Sequence, residues 1–535
     1  MIRDTLTDAI RSKLASLGVD APAVIGLEQP ARSEHGDWSS NVALATAKAA
    51  GRNPRELAQE LADRLNADLP AHTEKVEIAG PGFVNFHLRP TWLHDVIGDV
   101  LAAGDAAYGR SDDGAGDKVL VEFVSANPTG PLHAGHARGA VFGDTLARIL
   151  EWSGHEVGRE FYINDRGLQM ENFGASIAAR ARGEQPPEDG YQGEYVTEWA
   201  ADLGPDADPL EHGYSRALAD QREVLDRLGV VFDSWFSERT MIGSGAIDQT
   251  LADLRERGVV YDDDGAVWLR STDYGDDKDR VLVRSNGEVT YLLPDIAYHR
   301  DKFARGYDHL INVWGADHHG YVSRMRAAIA TLGHDAESFE PVITQLVRLT
   351  RDGNEVRLSK RSGDMIELRD LLDEVGVDAV RLTYLLQSVD SPQSVDLDVI
   401  ISESMENPVF YVQMAHARLC SIDKVATERG FTRRPLADVD LSPLVHEREL
   451  AVLRDLHALP TVVALAARER APHKVTTWAR DLASDVHGFY HDCPILRDDV
   501  DDATRQARWW LCAAAAVGLR VGLGLLGVSA PESMQ

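Results

Sequence analysis

The sequence predicts an α/β domain built on a parallel sheet, followed by an all-helical C-terminal part. Residues 119–124 form an almost continuous apolar run, which is typical of a parallel strand covered on both faces. From about residue 400 onward, apolar residues recur at helical spacing and strand signals are few. A chain of 535 residues is long enough for three or four domains with substantial cores.

The predicted strand is followed by a Pro/Gly turn and then by a helix. After the turn, five apolar residues recur at helical spacing until Ser153-Gly154, namely Val141, Phe142, Leu146, Ile149 and Leu150. His133 and His136 therefore lie where the carboxyl end of a strand meets a helix N-terminus, a place that favours phosphate. Gly135 leaves room for a nucleotide to lie against the backbone.

The string Ala126–His136 resembles the arginyl version of the His-x-Gly-His signature of class I aminoacyl-tRNA synthetases. For the two histidines alone, capping or packing at the helix start is an equal alternative. The resemblance implies a Rossmann-like catalytic domain in which His133 and His136 are catalytic. It also implies an ATP-binding segment made of Ala126, Asn127, Pro128, Thr129, Gly130, Pro131, Leu132, His133, Ala134, Gly135 and His136.

A second segment, Arg357–Gly363, resembles the Lys-Met-Ser-Lys-Ser signature of the same class. It departs from that pattern because Arg357 and Arg361 stand where the signature has Lys and Ser. Cations here would stabilise the charge that builds on the phosphoryl oxygens and the leaving pyrophosphate. The resemblance implies that Lys360 is catalytic and that Arg357, Ser359 and Lys360 bind ATP. Taken alone, a basic loop is more often a solvated surface.

The arginine pocket is predicted from carboxylates. Glu122 lies inside the apolar strand, where an unpaired charge is costly, and a cationic substrate group aimed at it would explain its presence. Residues 290–297 resemble the family segment Thr-Tyr-x-x-x-Asp-Ile-Ala, which implies that Tyr291 and Asp295 bind arginine. Their spacing places both on one face of a helix, although an ordinary amphipathic helix start has the same spacing. Ser125 and Asn127 match positions that, in this family, bind the α-amino and carboxylate end of the substrate arginine.

Another buried strand, Leu310–Gly315, ends in polar residues that resemble the family strand near adenosine and arginine. We expect Gly315 and Asp317 to bind ATP and His318 to bind arginine, with His318 and His319 open as alternatives. Asn164–Gln169 is similar to a family element near the arginine carboxylate. No metal site is predicted, because the Asp-His-His cluster lacks further ligands at a zinc-like spacing and no His-Glu-x-x-His occurs.

The resemblance covers nearly the whole chain and implies three domains. An α+β N-terminal domain, 1–110, carries the family-like segments 35–41 and 79–86, and this domain contacts the tRNA elbow in relatives. The catalytic domain, 111–375, contains an insertion at about 183–285 and the signature loop at about 350–365. Asp378–Arg381 leads into the all-α anticodon-binding domain, 376–535. Gly183–Pro209 is rich in Pro, Gly and Asp and is expected to be irregular surface.

Charge is the feature that conflicts with a nucleic-acid partner. The formal net charge is −31, which would repel tRNA. Only nine of the 55 basic residues are lysine, and acidic residues come in runs such as 262–264 and 498–502. Abundant carboxylate with scarce lysine is what molar salt would favour, since the Debye length there is only about 3 Å. An ordinary acidic cytosolic protein is the alternative.

These observations predict an arginine–tRNA ligase that uses ATP, with Mg²⁺ as the counter-ion of ATP and no structural metal. Its partners would be tRNA(Arg), L-arginine and ATP. A tRNA-independent nucleotidyltransferase of the same superfamily and a non-catalytic RNA-binding relative are the alternatives. Three scattered cysteines and the lack of a signal peptide indicate the cytoplasm, and the apolar run Leu511–Val528 indicates a buried helix rather than a membrane span. A monomer is expected from the family.

Overall fold

The computed structural model describes residues 2–28, 30, 32–356 and 366–534. Two compact units are present. The first contains Met1–Gly104, Leu419–His457 and Asp485–Val517, and the second contains Asp105–Arg418, Ala458–Ser484 and Gly518–Gln535. Each unit therefore draws on segments that are far apart in sequence.

The strands, in chain order, are β1 (Trp38–Ser40), β2 (Thr73–Ala79), β3 (Phe83–Leu88), β4 (Lys118–Glu122), β5 (Glu156–Ile163), β6 (Ser234–Ser237), β7 (Val260–Asp263), β8 (Ala266–Leu269), β9 (Arg280–Val283), β10 (His309–Gly315), β11 (Phe339–Thr344), β12 (Val347–Arg351), β13 (Asn354–Glu355) and β14 (Gln393–Asp396). Within the described part of the chain they form four sheets, with the orders β1-β3-β2, β11-β10-β4-β5-β6, β13-β12-β14 and β7-β8-β9.

The α-helices are α1 (Ile2–Ser16), α2 (Val42–Ala47), α3 (Pro54–Ala67), α4 (Thr91–Ala107), α5 (Ala134–Trp152), α6 (Leu168–Ala181), α7 (Glu194–Ala201), α8 (Pro209–Arg227), α9 (Glu238–Gly243), α10 (Ala246–Glu256), α11 (Leu292–Ala304), α12 (Val322–Thr331), α13 (Leu368–Val375), α14 (Val377–Tyr384), α15 (Leu397–Ile401), α16 (Pro408–Glu428), α17 (Glu447–Arg468), α18 (His473–Asp492) and α19 (Asp502–Leu526). A short 3₁₀ helix, Ala316–Tyr321, follows β10.

The first unit contains a small antiparallel sheet, in which β3 pairs with both β1 and β2. Helix α3 begins cleanly because the Asn53 side chain accepts hydrogen bonds from the Arg55 and Glu56 backbone amides and Pro54 opens the first turn. Leucines at helical spacing on α1 and α3 are fully buried, among them Leu6, Leu14, Leu57 and Leu61. An α+β arrangement is therefore present at the N-terminal end.

The second unit contains the parallel five-stranded sheet. β4 lies at its centre, where it pairs with β10 on one side and β5 on the other. Val119, Leu120 and Val121 are almost completely buried, as the apolar run predicts, and α5 ends at Trp152 just before Ser153-Gly154. The predicted fold class is confirmed in this parallel sheet and in the helices from Pro408 onward.

The stretch Gly183–Pro209 differs from the expectation of irregular surface. Helix α7 lies inside it, and Val196, Trp199 and Ala200 are buried against Phe173 and other residues of α6 and α8. Three apolar residues at helical spacing outweigh the surrounding Pro and Gly. Strand β6, from the range expected to be an insertion, forms one edge of the central sheet.

Two described helices, α17 and α19, are long and apolar enough to cross a membrane by length and composition. The apolar window of α19 is 78% buried and that of α17 is 44% buried. Core helices of folded domains pass the same test, and the burial of α19 agrees with the buried helix predicted near residues 511–528.

Candidate active site

A cavity of about 560 Å³ opens at the carboxyl ends of β4 and β10. The chain leaves β4 toward β5 on one side while β10 lies on the other, so the cavity stands at the switch point where ligands bind in parallel sheets. Nine of the predicted site residues line it: Glu122, Ser125, Ala126, Asn127, His136, Asp295, Gly315, Asp317 and His318. Sequence positions almost 200 residues apart therefore meet in one place.

The turn after β4 has an unusual backbone. Val124 and Ser125 have φ values of 68° and 43°, in the left-handed region that L-residues rarely adopt. The Ser125 hydroxyl donates to Glu122 Oε1 at 3.1 Å and accepts from the Tyr162 backbone amide at 3.1 Å. These contacts keep the turn beside the cavity, and two residues later Asn127 lines it.

Backbone carbonyl groups of the predicted ATP segment accept hydrogen bonds from side chains of α7 and α8. Gln221 Nε2 donates to the carbonyls of Asn127 and Gly130, both at 3.0 Å, and the Tyr195 hydroxyl donates to Thr129 O at 2.9 Å. A Cβ at Gly130 would lie 3.0 Å from that hydroxyl. The residues of the segment that do not line the cavity are Pro128, Thr129, Gly130, Pro131, Leu132, His133, Ala134 and Gly135.

The two histidines open α5 as the sequence predicts. His133 is the N-cap residue, and its Nδ1 accepts from the Gly135 amide at 3.1 Å. His136 Nδ1 accepts from the His133 amide at 3.2 Å, and the two rings lie 3.8 Å apart. Because each Nδ1 is an acceptor, each neutral ring carries its proton on Nε2, from which no hydrogen bond to another described residue is seen. A Cβ at position 135 would come within 2.9 Å of the His133 ring.

Burial keeps both imidazoles neutral. It lowers the pKa of His133 and, with the neighbouring ring adding to the effect, lowers the pKa of His136 to about 3. Neutral Nε2–H groups at a helix N-terminus can donate hydrogen bonds to a phosphate. The lowered pKa values favour stabilisation of an anion by neutral donors over proton transfer at neutral pH.

Backbone contacts join this helix start to the segment that follows the second signature. The Ala134 amide donates to Ile366 O and the Leu368 amide donates to Leu132 O, both at 2.7 Å. Arg138, almost completely buried, donates to the carbonyls of residues 345, 388 and 391, just before β12 and β14. The predicted residues Arg357, Ser359 and Lys360 lie outside the described residues.

The other end of the cavity is acidic. Asp295 Oδ2 accepts a 2.5 Å hydrogen bond from the Tyr321 hydroxyl. Burial raises the pKa of Asp295 to about 6, with the charges of Glu122 and Glu238 adding to the rise and the Tyr321 bond opposing it. Burial also raises the pKa of Glu238. Asp295 lines both this cavity and a second one, which Glu238 also lines, and a cationic group beside them would stabilise the ionised form of each carboxylate.

Glu122 also has a cation of the protein itself beside it. It lines the cavity, but Lys302 Nζ lies 2.5 Å from its Oε2, and Asn312 Nδ2 donates to the same oxygen at 2.9 Å. Lys302 is fully buried. The carboxylate inside the strand is therefore explained by an internal cation, and the substrate is not needed to balance it.

A second cavity, of about 850 Å³, shares Tyr162, Asn164 and Asp295 with the first. Tyr291 lines this second cavity and is 89% exposed, immediately before α11. Gln169 also lines it and accepts from Asn127 Nδ2 at 2.8 Å, which links the two cavities. Asp295 and Tyr291 thus face the same region, with Asp295 at the junction.

Three site residues were missed by sequence reasoning. Glu238 begins α9 directly after β6, Tyr321 ends the turn after β10, and Tyr162 lies on β5. The signal for Glu238 was its place at the end of an edge strand, in a stretch interpreted as an insertion. Among the described residues, no group of three His, Cys, Asp or Glu side chains could hold a metal ion.

Comparisons with known proteins cover the whole chain. Residues 4–88 match the family model "Arginyl tRNA synthetase N terminal domain". Residues 98–187 and 219–419 match "tRNA synthetases class I (R), catalytic domain", and residues 412–534 match "DALR anticodon binding domain". The three models follow one another in the order in which the domains were predicted.

Two curated relatives are arginine–tRNA ligases. The protein from Bacillus licheniformis is 44% identical over 100% of this chain and 99% of its own length. The protein from Geobacillus thermodenitrificans is 45% identical, with the same coverage. The solved arginyl-tRNA synthetase of Thermus thermophilus shares the fold, with a TM-score of 0.76, 24% identity and full coverage of both chains.

Proposed function

Because the chain belongs to the arginyl-tRNA synthetase family, we propose which of its residues carry out the two steps of arginine–tRNA ligation. In the first step a carboxylate oxygen of arginine attacks the α-phosphorus of ATP. The bond to the bridging oxygen breaks, which gives arginyl-adenylate and pyrophosphate. In the second step a terminal ribose hydroxyl of tRNA(Arg) takes the arginyl group and AMP leaves. The chain is an ATP-dependent ligase of the class I type.

Asp295 and Glu238 bind the guanidinium in this proposal. The main support is that Asp295 lines the cavity that His136 lines, that Glu238 lines the adjoining second cavity, and that partial burial raises the pKa values of both carboxylates. A guanidinium presents five donors in a planar fork and matches carboxylates better than any other side chain. Tyr291, at the mouth of the second cavity, would cover the guanidinium. Ser125, Asn127 and His318 would face the α-amino and carboxylate end.

The nucleotide takes the other end of the cavity. The Nε2–H groups of His133 and His136, with the N-terminus of α5, would stabilise charge on the α-phosphate as the pentavalent centre forms. Gly315 and Asp317, at the end of β10, would meet the adenosine. Arg357, Ser359 and Lys360 are proposed for the leaving pyrophosphate on their sequence pattern. We propose that ATP binds as its Mg²⁺ complex, with the metal held by phosphates.

Further parts of the proposal concern the whole chain. The domain boundaries would lie near residues 110 and 375, the enzyme would act as a monomer, and it would work in the cytoplasm. The N-terminal and helical domains would dock the tRNA elbow and the anticodon stem. Docking at both would align the arginine pocket by induced fit, so activation of arginine would require tRNA.

The test is arginine-dependent ATP–pyrophosphate exchange, with and without cognate tRNA, at low and molar KCl. Exchange only with tRNA is expected. Brisk exchange without tRNA would contradict the induced-fit part of the proposal. In the same assay His136→Ala should lose exchange, and Asp276→Asn, a buried carboxylate paired with Arg280 outside both cavities, should keep it. Normal exchange in His136→Ala would remove that residue from the mechanism.

A further inference from the structure

We propose that Glu122 and Lys302 form a buried ion pair that positions the turn Val124–Ser125, and through it Asn127, and that Glu122 does not bind the guanidinium of arginine. This inference rests on the active site proposed above. It gives Lys302, a residue that the mechanism does not otherwise use, a role in the reaction.

Both oxygens of the Glu122 carboxylate are occupied from within the protein. Oε2 accepts from Lys302 Nζ at 2.5 Å and from Asn312 Nδ2 at 2.9 Å, while Oε1 accepts from the Ser125 hydroxyl at 3.1 Å. Lys302 Nζ also donates to Asn312 Oδ1 at 3.2 Å and lies 4.2 Å from the centre of the Tyr298 ring. The cluster is satisfied without a ligand.

The turn Val124–Ser125 has a strained backbone that neighbouring groups must stabilise. Val124 and Ser125 are consecutive non-glycine residues in the left-handed region, and Val124 is β-branched, which makes the conformation more costly. Such a backbone persists only where its surroundings over-determine it. The Ser125 hydroxyl, fixed between Glu122 and the Tyr162 amide, supplies that constraint. Lys302 fixes Glu122 in turn, so its effect reaches Asn127 through the turn.

A guanidinium that bound both oxygens of Glu122 in its usual fork geometry would have to displace Lys302 from Oε2. That exchange would leave a fully buried ammonium without its counter-charge, which is strongly unfavourable. Asp295 offers the contrast, because its hydrogen-bonding partner is the neutral Tyr321 hydroxyl. The two carboxylates therefore have different roles: Asp295 binds the substrate cation, and Glu122 stabilises the backbone of the turn.

The experiment uses the full chain with tRNA and compares Glu122→Gln, Lys302→Met, the double variant and Asp295→Asn. The guanidinium end is probed with n-butylguanidine, which has no α-amino or carboxylate group. It is used as a competitive inhibitor against arginine. We expect its inhibition constant to stay within about twofold in Glu122→Gln and to rise at least about tenfold in Asp295→Asn. Aminoacylation kcat should fall by about tenfold or more in Glu122→Gln.

Two further readouts separate positioning from general damage. The kcat of the double variant should be no lower than that of Lys302→Met. Lys302→Met leaves the charge of Glu122 unpaired, and replacing Glu122 as well removes that charge. Val124→Gly, which relieves the left-handed strain, should restore part of the kcat of Glu122→Gln. Asp276→Asn is the matched control for loss of a buried ion pair and should leave the inhibition constant and kcat unchanged.

The opposite pattern would overturn the inference. If Glu122→Gln weakens n-butylguanidine as much as Asp295→Asn does, Glu122 is a substrate ligand. If Val124→Gly brings no recovery, or the double variant loses the product of the two single losses, the turn is not the target of the pair. Failure of the proposed function looks different, since Asp295→Asn would then leave n-butylguanidine inhibition unchanged.

Discussion

The two ends of the active-site cavity are built in different ways. At the nucleotide end, His133, Gly135 and His136 are neighbours in sequence, and their geometry is set by backbone hydrogen bonds at the start of α5. At the arginine end, Asp295 accepts a hydrogen bond from Tyr321, and the charge of Glu238, which lies on another element, helps to raise the pKa of Asp295. The histidines are neutral donors, whereas the carboxylates carry the charge. In the proposed mechanism, phosphate binding therefore depends on a local motif, and recognition of arginine depends on residues from separate elements.

The largest effect is expected from removing charge at the arginine end. Asp295→Asn keeps the shape but loses the carboxylate, and it should weaken arginine binding by about 2–5 kcal/mol. The pKa of Asp295 in the folded protein is about 6, above the ordinary value of 3.8. Ionised Asp295 therefore destabilises the folded protein, and this effect is fully present at pH values above about 6. The variant's melting temperature at pH 7.5 should therefore not fall. Calorimetry and thermal unfolding measure both, and unchanged arginine affinity would contradict the assignment.

A change at the nucleotide end should leave arginine binding alone. His136→Ala removes a preorganised donor, and the rate of adenylate formation should fall by an amount equivalent to about 2–4 kcal/mol. Arginine affinity should stay within about twofold, because His136 contributes no charge at neutral pH. Single-turnover adenylate formation with tRNA present, beside arginine calorimetry, separates the two quantities. Equal losses in both would mean that the two ends are not independent.

The pH dependence should come from the acidic end only. As the pH falls through about 6, Asp295 takes up a proton and loses its attraction for the guanidinium, so arginine affinity should fall by up to about tenfold per pH unit. His136, with a pKa of about 3, does not titrate between pH 5 and 8. Arginine calorimetry over that range checks this, and Asp295→Asn should flatten the profile. A flat profile in the unmodified protein would contradict it.

The smallest effect concerns the surface. If the net charge of −31 reflects adaptation to salt, the melting temperature should rise from low to molar KCl, because salt screens repulsion between carboxylates. The buried pair Glu122–Lys302 should respond little, since screening acts mainly on exposed charges. Thermal unfolding across KCl concentrations measures the first effect. A flat or falling melting temperature would leave the acidic surface without this explanation.

The same contrast explains what the sequence could predict. The strand, the turn, α5 and the two histidines follow from a local apolar pattern, and the structure has them at the predicted places. Resemblance alone singled out Asp295, because a Tyr–Asp spacing of four is common on helices.

Contacts between segments that are distant in the chain could not be predicted from local sequence patterns. Glu122 was expected to be held for the substrate because its partner, Lys302, lies 180 residues away in sequence. One signal was present: Lys302 follows Asp295 by seven residues and Tyr298 by four, so it lies on the same face of α11. A lysine on the buried face of a helix needs a buried carboxylate, and Glu122 was the candidate in the neighbouring strand.

In the proposed mechanism, the charge of arginine is recognised at Asp295 and Glu238 and not at the histidine end. The most direct test is the ratio of citrulline to arginine dissociation constants, measured by calorimetry in the unmodified protein, in Asp295→Asn and in His136→Ala. Citrulline is neutral where arginine is charged, so it should leave buried carboxylates unmatched and bind far more weakly. We expect a large ratio in the unmodified protein, which His136→Ala preserves and Asp295→Asn largely removes. Citrulline binding as tightly as arginine to the unmodified protein would contradict it.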